Sequence, residues 1–180
     1  LTLEDPVEFL HASAGCLISQ REIGQHAPSF AQALRVALRQ DPDVILLGEL
    51  RDSETIRLAL TAAETGHLVL ATLHTRDAAQ AIERLVDVFP AQEKEPVRSQ
   101  LANCLTAVVA QKLQPDGQGR RVALFEMLVN TPAVGNLIRE GKTHQLTGVM
   151  QTGLQSGMQT FSQSYQQRIK AGMLRKSESA

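Results

Sequence analysis

Apolar residues at the start and in the middle of the chain gather into short runs, and each run stops at charged or titratable groups. Leu1-Thr2-Leu3 leads into Glu4, Asp5 and Pro6, Val44 to Leu47 leads into Gly48 and Glu49, and Leu68 to Leu73 leads into His74 and Thr75. Nothing alternates within Val44 to Leu47. Asp41-Pro42-Asp43 on one side and Gly48 on the other stop a helix from running through, so the run predicts a buried strand. Between the runs the period becomes helical. Ser29 offers an N-cap to a helix with Phe30, Leu34, Ala37 and Leu38 on one face, ended by Asp41-Pro42. Asp52 or Ser53 caps a second helix, with Ile56, Leu60 and Ala63 aligned and a stop near Gly66. Val44 to Leu73 therefore reads strand, helix, strand, and a connection of that length between parallel strands is a right-handed crossover. The predicted fold class is α/β.

Elsewhere the pattern is less uniform. Cys16-Leu17-Ile18 reads as a short strand followed by Gln20-Arg21-Glu22. Asp77 caps a helix through Val86 with Ile82 and Leu85 inward, and Phe89-Pro90 breaks it. A longer helix is predicted from Ala91 to Gln111, burying Val97, Leu101, Leu105, Val108 and Val109. Pro115 to Gly119 is a turn, and Arg121 to Met127 reads as the strand that closes the sheet. Thr131-Pro132 then starts a helix that Gly141 stops, with further helices near Gln145 to Gln151 and Met158 to Ala171. The expected organisation is a core over 1–128, a small helical subdomain over 129–174 and a disordered tail over 175–180.

Composition narrows the class. With 180 residues, 43% of them hydrophobic, the chain is long enough for a buried core, and its net charge of −1 argues against a general nucleic-acid binder. No apolar run approaches the roughly 20 residues that span a bilayer. Cys16 and Cys104 stand apart without CxxC partners and read as buried, reduced thiols.

The candidate chemistry follows from the strand ends. Ligands of open parallel sheets bind outside the carboxyl ends of the strands, which is where Glu49 falls. Alone it could be an ordinary solvated loop acid. If the three runs are neighbouring parallel strands, however, Glu4, Asp5, Glu49 and His74 converge on one rim. Carboxylates there can hold Mg²⁺ or orient water, and an imidazole can contact a developing anion. His67 precedes its strand and so belongs at the opposite end. Arg21 could face a ligand or form a surface ion pair.

These residues lie in segments that resemble a known family. LTLEDPVEF (Leu1 to Phe9) is similar to the acidic "Asp box", ALRQDPDVILLGELRD (Ala37 to Asp52) to the atypical Walker B segment, and TAAETGHLVLATLHT (Thr61 to Thr75) to the "His box" of the type II/IV secretion ATPase superfamily. Within it the chain resembles the type IV pilus retraction ATPases, the PilT-like twitching-motility family. VDVFPAQEK (Val86 to Lys94) and TPAVGNLIREGK (Thr131 to Lys142) extend the resemblance over nearly the whole chain. It implies a RecA-like P-loop ATPase core with a C-terminal helical segment, in a hexameric, cytosolic motor that drives twitching motility by ATP hydrolysis at an inner-membrane platform protein. The resemblance gives Glu49 the attacking water, Glu4 and Asp5 Mg²⁺ and water, His74 the γ-phosphate and Arg51 a nucleotide contact. It gives His67 a role as well, against its expected place in the fold.

Two departures qualify this. No GxxGxGK[ST] stretch, the loop that wraps backbone N–H groups and a lysine around phosphates, occurs in these 180 residues. The chain is expected to be the second half of a motor domain, beginning in mid-strand at Leu1, and inactive alone. The family's AIRNLIRE-type segment here reads Ala133-Val134-Gly135-Asn136-Leu137-Ile138-Arg139-Glu140, with Gly135 in place of an arginine. Both departures favour the alternative, a non-catalytic paralogue that joins a pilus or secretion motor. Pilus-assembly and type II secretion ATPases usually carry paired CxxC motifs for a tetrahedral zinc, and this chain has none. Elemental analysis of the purified protein is therefore expected to find no bound zinc, and about one zinc per chain would move the assignment away from the retraction type.

Overall fold

Four strands pair in parallel in the order β2-β1-β3-β4. They are β1 (Thr2–Glu4), β2 (Gln20–Glu22), β3 (Val44–Leu47) and β4 (Leu68–Ala71), accompanied by α1 (Phe30–Ala37) and α2 (Ser53–Glu64). The structure, a computed structural model, describes residues 1–174; the tail expected at 175–180 lies outside the described residues. One compact unit comprises Leu1–His74 with Val88–Pro90. The other comprises Thr75–Asp87 and the described residues from Ala91.

In the first unit the apolar runs do what their composition predicts on one face of the sheet. Leu3, Ile45 and Leu47 are fully buried and pack with Ala33 and Leu34 of α1 and Ala59 and Ala62 of α2. Ser29 caps α1 through the N–H of Gln32, and Asp52 caps α2 through the N–H of Thr55. Gly66 turns the chain out of α2 at φ +105°, a conformation that favours glycine. The other face differs from the expected buried strand: Val44, Leu68 and Leu70 are 41–51% exposed. Among the described residues, β4 is an open edge of this sheet.

Two expectations for this unit are corrected. Cys16-Leu17-Ile18 is not a strand; Cys16 and Leu17 are exposed, and the strand beside β1 is the polar Gln20–Glu22. An edge strand can be polar because one of its sides is solvated. Cys16 is accordingly no buried thiol, and Cys104 is only partly covered.

The second unit holds α3 (Ala78–Asp87), α4 (Ala91–Cys104), an antiparallel hairpin of β5 (Ala107–Pro115) and β6 (Arg121–Val129), and α5 (Pro132–Arg139), α6 (Leu146–Thr152) and α7 (Phe161–Lys170). The helix predicted to reach Gln111 therefore ends at Cys104. Its last carbonyls are met by a residue distant in sequence, since Asn130 donates through Nδ2 to Ala102 O at 2.9 Å and Leu105 O at 2.8 Å. Beyond them Val108 and Val109 suit an extended chain as β-branched residues, and Val109 is 59% exposed. Among the described residues Arg121–Val129 pairs with β5 along its length and bridges Gln159 at Met127, so the strand expected to close the parallel sheet belongs to a separate sheet and to the second unit. Buried Glu126 reaches from β6 to the N–H of Ala78 at 2.9 Å and helps Asp77 satisfy the start of α3.

Asp116 closes the hairpin turn. Its Oδ2 accepts from Arg120 Nε at 2.7 Å, and its Oδ1 accepts from the N–H groups of Gln118 at 2.7 Å and Arg120 at 3.1 Å. The Arg120 side chain above all, then the Gln118 N–H, hold this carboxyl below the ordinary value of 3.8 against the opposing effect of burial. A folded value below the unfolded one gives stability that is present above the unfolded value and lost as pH falls through the folded one. Asp116→Asn should therefore unfold at lower denaturant concentration than wild type at neutral pH, and the two midpoints should converge in a pH series taken below 3.8.

Candidate functional site

Parallel pairing brings β1, β3 and β4 to an end at one level, with Leu3 opposite Leu47 and Leu47 opposite Ala71. The ladder continues past the strands. Gly48 N–H donates to Leu3 O at 2.7 Å, Leu50 N–H donates to Thr72 O at 3.1 Å, and the Thr72 hydroxyl donates to Gly48 O. The segment Gly48 to Leu50 is thereby held between Glu4 on one side and His74 on the other. Glycine suits this closeness, because a Cβ at Gly48 would meet Glu4 Cα and Leu3 O at 3.3 Å each and the facing backbone would have to give by a few tenths of an ångström.

Glu49 is 8% exposed. Arg51 Nη2 lies 2.5 Å from its Oε1, and His74 Nε2 lies 3.4 Å from its Oε2 without making a hydrogen bond. Oε2 is thus a buried carboxylate oxygen with no donor, an arrangement that costs about 1–3 kcal/mol unless a bound group meets it. Held on one oxygen and open on the other, the carboxylate is set to orient a water and take its proton. Arg51 and His74 themselves are mostly solvated, with 69% and 85% of their side-chain surface exposed.

Glu4 lies across the β1–β3 ladder from Gly48. Its Oε1 accepts from the Thr2 hydroxyl at 2.5 Å and from Gln20 Nε2 at 3.1 Å, and the neighbouring Asp5 is exposed. Mg²⁺ bound with a nucleotide uses one or two carboxylates and takes its remaining ligands from water and phosphates. Adjacent Glu4 and Asp5 fit that need, while among the described residues no group of three or more His, Cys, Asp or Glu is placed to hold a metal without such help.

Of the residues singled out in the sequence, Glu4, Asp5, Glu49, Arg51 and His74 share the rim. His67 does not. It stands at the start of β4, with its N–H on Ala62 O at 3.2 Å and its Nδ1 3.1 Å from the same oxygen, where it finishes α2. Arg21 donates to Gln40 Oε1 at 2.6 Å and so hydrogen-bonds a neutral amide where an ion pair was one of the expectations. A cleft of about 500 Å³ lined by Ser29, Arg35, Arg39 and Glu54 includes no rim residue, and the Arg35–Glu54 ion pair lies in it. Sequence reasoning missed Thr2, Gln20 and Thr72. Thr2 and Gln20 are opposite one another in the β1–β2 register, which the misplaced strand had hidden.

The sequence model of the family described as "Type II/IV secretion system protein" matches residues 1–117. A protein of Escherichia coli (strain K12) designated "Uncharacterized protein YggR" is 76% identical over 174 residues, which are 97% of this chain and 53% of that protein. A "Twitching motility protein" of Neisseria gonorrhoeae is 60% identical over 176 residues, 97% of this chain and 47% of that protein. Among solved structures, the pilus retraction motor PilT with bound ADP superimposes with a TM-score of 0.85 at 45% identity, covering 94% of this chain and 48% of that one. The chain spans about half the length of the curated relatives it matches. The strand ends that carry Glu4, Glu49 and His74 all fall inside the matched residues, and the chain belongs to the type II/IV secretion system protein family.

Proposed function

We propose that this chain is part of an ATP-hydrolysing motor of the pilus-retraction type, and that Glu49 is its water-orienting base. The observation that carries the reading is the open, buried Oε2 of Glu49 on a rim shared with Glu4 and His74. In this reading Arg51 holds Oε1 and leaves Oε2 to align a water and accept its proton. Glu4 and Asp5 hold Mg²⁺, which supplies charge neutralisation on the phosphates when bound. His74 faces the γ-phosphate, and Arg51 approaches the nucleotide from the same side. A phosphate loop must come from outside these 180 residues, because none of the required form occurs within them. The open edge of β4, with Leu68 and Leu70 half exposed, is where a further strand would pair.

The wider assignments rest on the relatives. A homohexameric ring is proposed because a rim of acids without a phosphate loop or arginine finger needs groups from elsewhere. The working place is the cytoplasm at the inner membrane, against a platform protein of a pilus or secretion machine. No described helix is long and apolar enough to cross a membrane. A second reading, a non-catalytic subunit, is favoured by Gly135, which stands buried in α5 where retraction motors carry an arginine.

One substitution separates the two, made in the protein that carries this chain together with its phosphate loop. Glu49→Gln keeps size and most hydrogen bonds but cannot take a proton, so ATP affinity should stay near wild type while kcat falls about 10²–10⁴-fold. Near-native turnover in the mutant would remove Glu49 from catalysis, and lost ATP binding would make it a ligand of the nucleotide-bound metal. No turnover in the wild-type protein would support the non-catalytic reading.

A further inference from the structure

We infer that Gln20 is a positioning residue for Glu4: its side-chain amide ties that carboxylate to the loop Pro6–Ser19, so that the place of the loop sets the place of the acid. The inference rests on Glu4 being a rim acid of the proposed motor. In the parallel register Thr2 lies opposite Gln20 and Glu4 opposite Glu22, so these side chains share one face of the sheet. The Gln20 amide makes three contacts. Its Oε1 accepts from His11 N–H at 2.7 Å, and its Nε2 donates to Phe9 O at 2.9 Å and to Glu4 Oε1 at 3.1 Å. A backbone N–H can only donate and a carbonyl can only accept, so the two loop partners fix which end of the amide is nitrogen. They leave its second N–H for Glu4.

The Thr2 hydroxyl donates to the same Glu4 oxygen at 2.5 Å. With both donors on Oε1, the carboxylate is turned so that Oε2 stays open for a ligand. Glu22 anchors the loop nearer its start, accepting from Val7 N–H at 3.0 Å. The loop is therefore pinned at Val7, Phe9 and His11 by the two β2 side chains that share the face of Glu4. The side chains of Phe9, Leu10 and Leu17 in this loop are 72–89% exposed. Any displacement of the loop that draws Phe9 and His11 away takes the Gln20 amide with it and strips a donor from Glu4.

The test compares wild type, Gln20→Ala, Glu4→Ala and the double variant in the protein carrying the phosphate loop, with unfolding midpoints as a check on folding. Two readouts are used: single-turnover ATP hydrolysis with KM, and amide hydrogen exchange across Pro6–Ser19. Gln20→Ala is expected to slow turnover about 10-fold with KM within about threefold, and to have no further effect in the Glu4→Ala background. Ser13→Ala removes a bond inside the loop, from Ile18 N–H, without touching Glu4 and should keep the wild-type rate. Because coupling is reciprocal, Glu4→Ala should speed exchange at His11. A Gln20→Ala effect of equal size with and without Glu4, no effect of Gln20→Ala where Glu4→Ala slows turnover, or unchanged exchange at His11 in Glu4→Ala each overturns the inference. If no variant hydrolyses ATP, exchange decides: faster exchange at His11 in Glu4→Ala supports the tie and counts against the ATPase reading alone, and unchanged exchange overturns the tie.

Discussion

Parallel hydrogen bonding in the register Leu3, Leu47, Ala71 sets the depth at which three strands stop, and the site exists because they stop together. Side chains alternate along a strand, so a slip of one residue would turn Leu3 or Leu47 to the wrong face and move Glu4 or Glu49 off the rim. The register is strongly specified for that reason: Leu3, Ile45 and Leu47 are all fully buried against α1 and α2. Burying each such leucine or isoleucine contributes about 1.5–3 kcal/mol, so a shifted pairing would expose several at once. The same packing that stabilises the sheet thus aims its acids.

Glu49 shows what that aim costs. A carboxylate taken from water needs donors, and this one has Arg51 on Oε1 and nothing bonded to Oε2. Its neighbours share out the other tasks. Asp52 is committed to the α2 cap, with Thr55 N–H on Oδ1 and the Thr55 hydroxyl on Oδ2, both at 2.8 Å. Glu4 is held by Thr2 and Gln20. Acids that look alike in the sequence are therefore separated by what already touches them.

Much of this could be read from the chain. Pro42 and Gly48 bracket β3, and charged groups at the ends of apolar runs mark the rim, because a buried parallel strand has nowhere else to place them. The misreadings also have physical causes. Leu101, Leu105, Val108 and Val109 satisfy a helical period, and the switch to β5 after Cys104 depends on Asn130, which no local pattern reveals. Gln20–Glu22 has no apolar residue to announce a strand; it is held beside β1 by its backbone ladder, by the Gln20 and Glu22 side chains bonded to Glu4, to Gln25 and to the loop before it, and by the Glu22 N–H donating to His26 Nδ1. His67 falls at the far end of β4 as the strand boundary predicts, although the resemblance gave it a share in the chemistry.

The sheet order also implies a sequence of events as the chain folds. The β5–β6 hairpin closes across a short turn at Asp116–Arg120, a local event of the kind that takes microseconds. In contrast β1 must find β3 across β2 and α1, since Thr2 pairs with Leu46, and such non-local closure is slow. The ends of β1 and β3 that carry Glu4 and Glu49 come to one level only after that step. The finished rim is then among the last features the chain acquires, and protection of its backbone amides on refolding would time the completion of the parallel sheet.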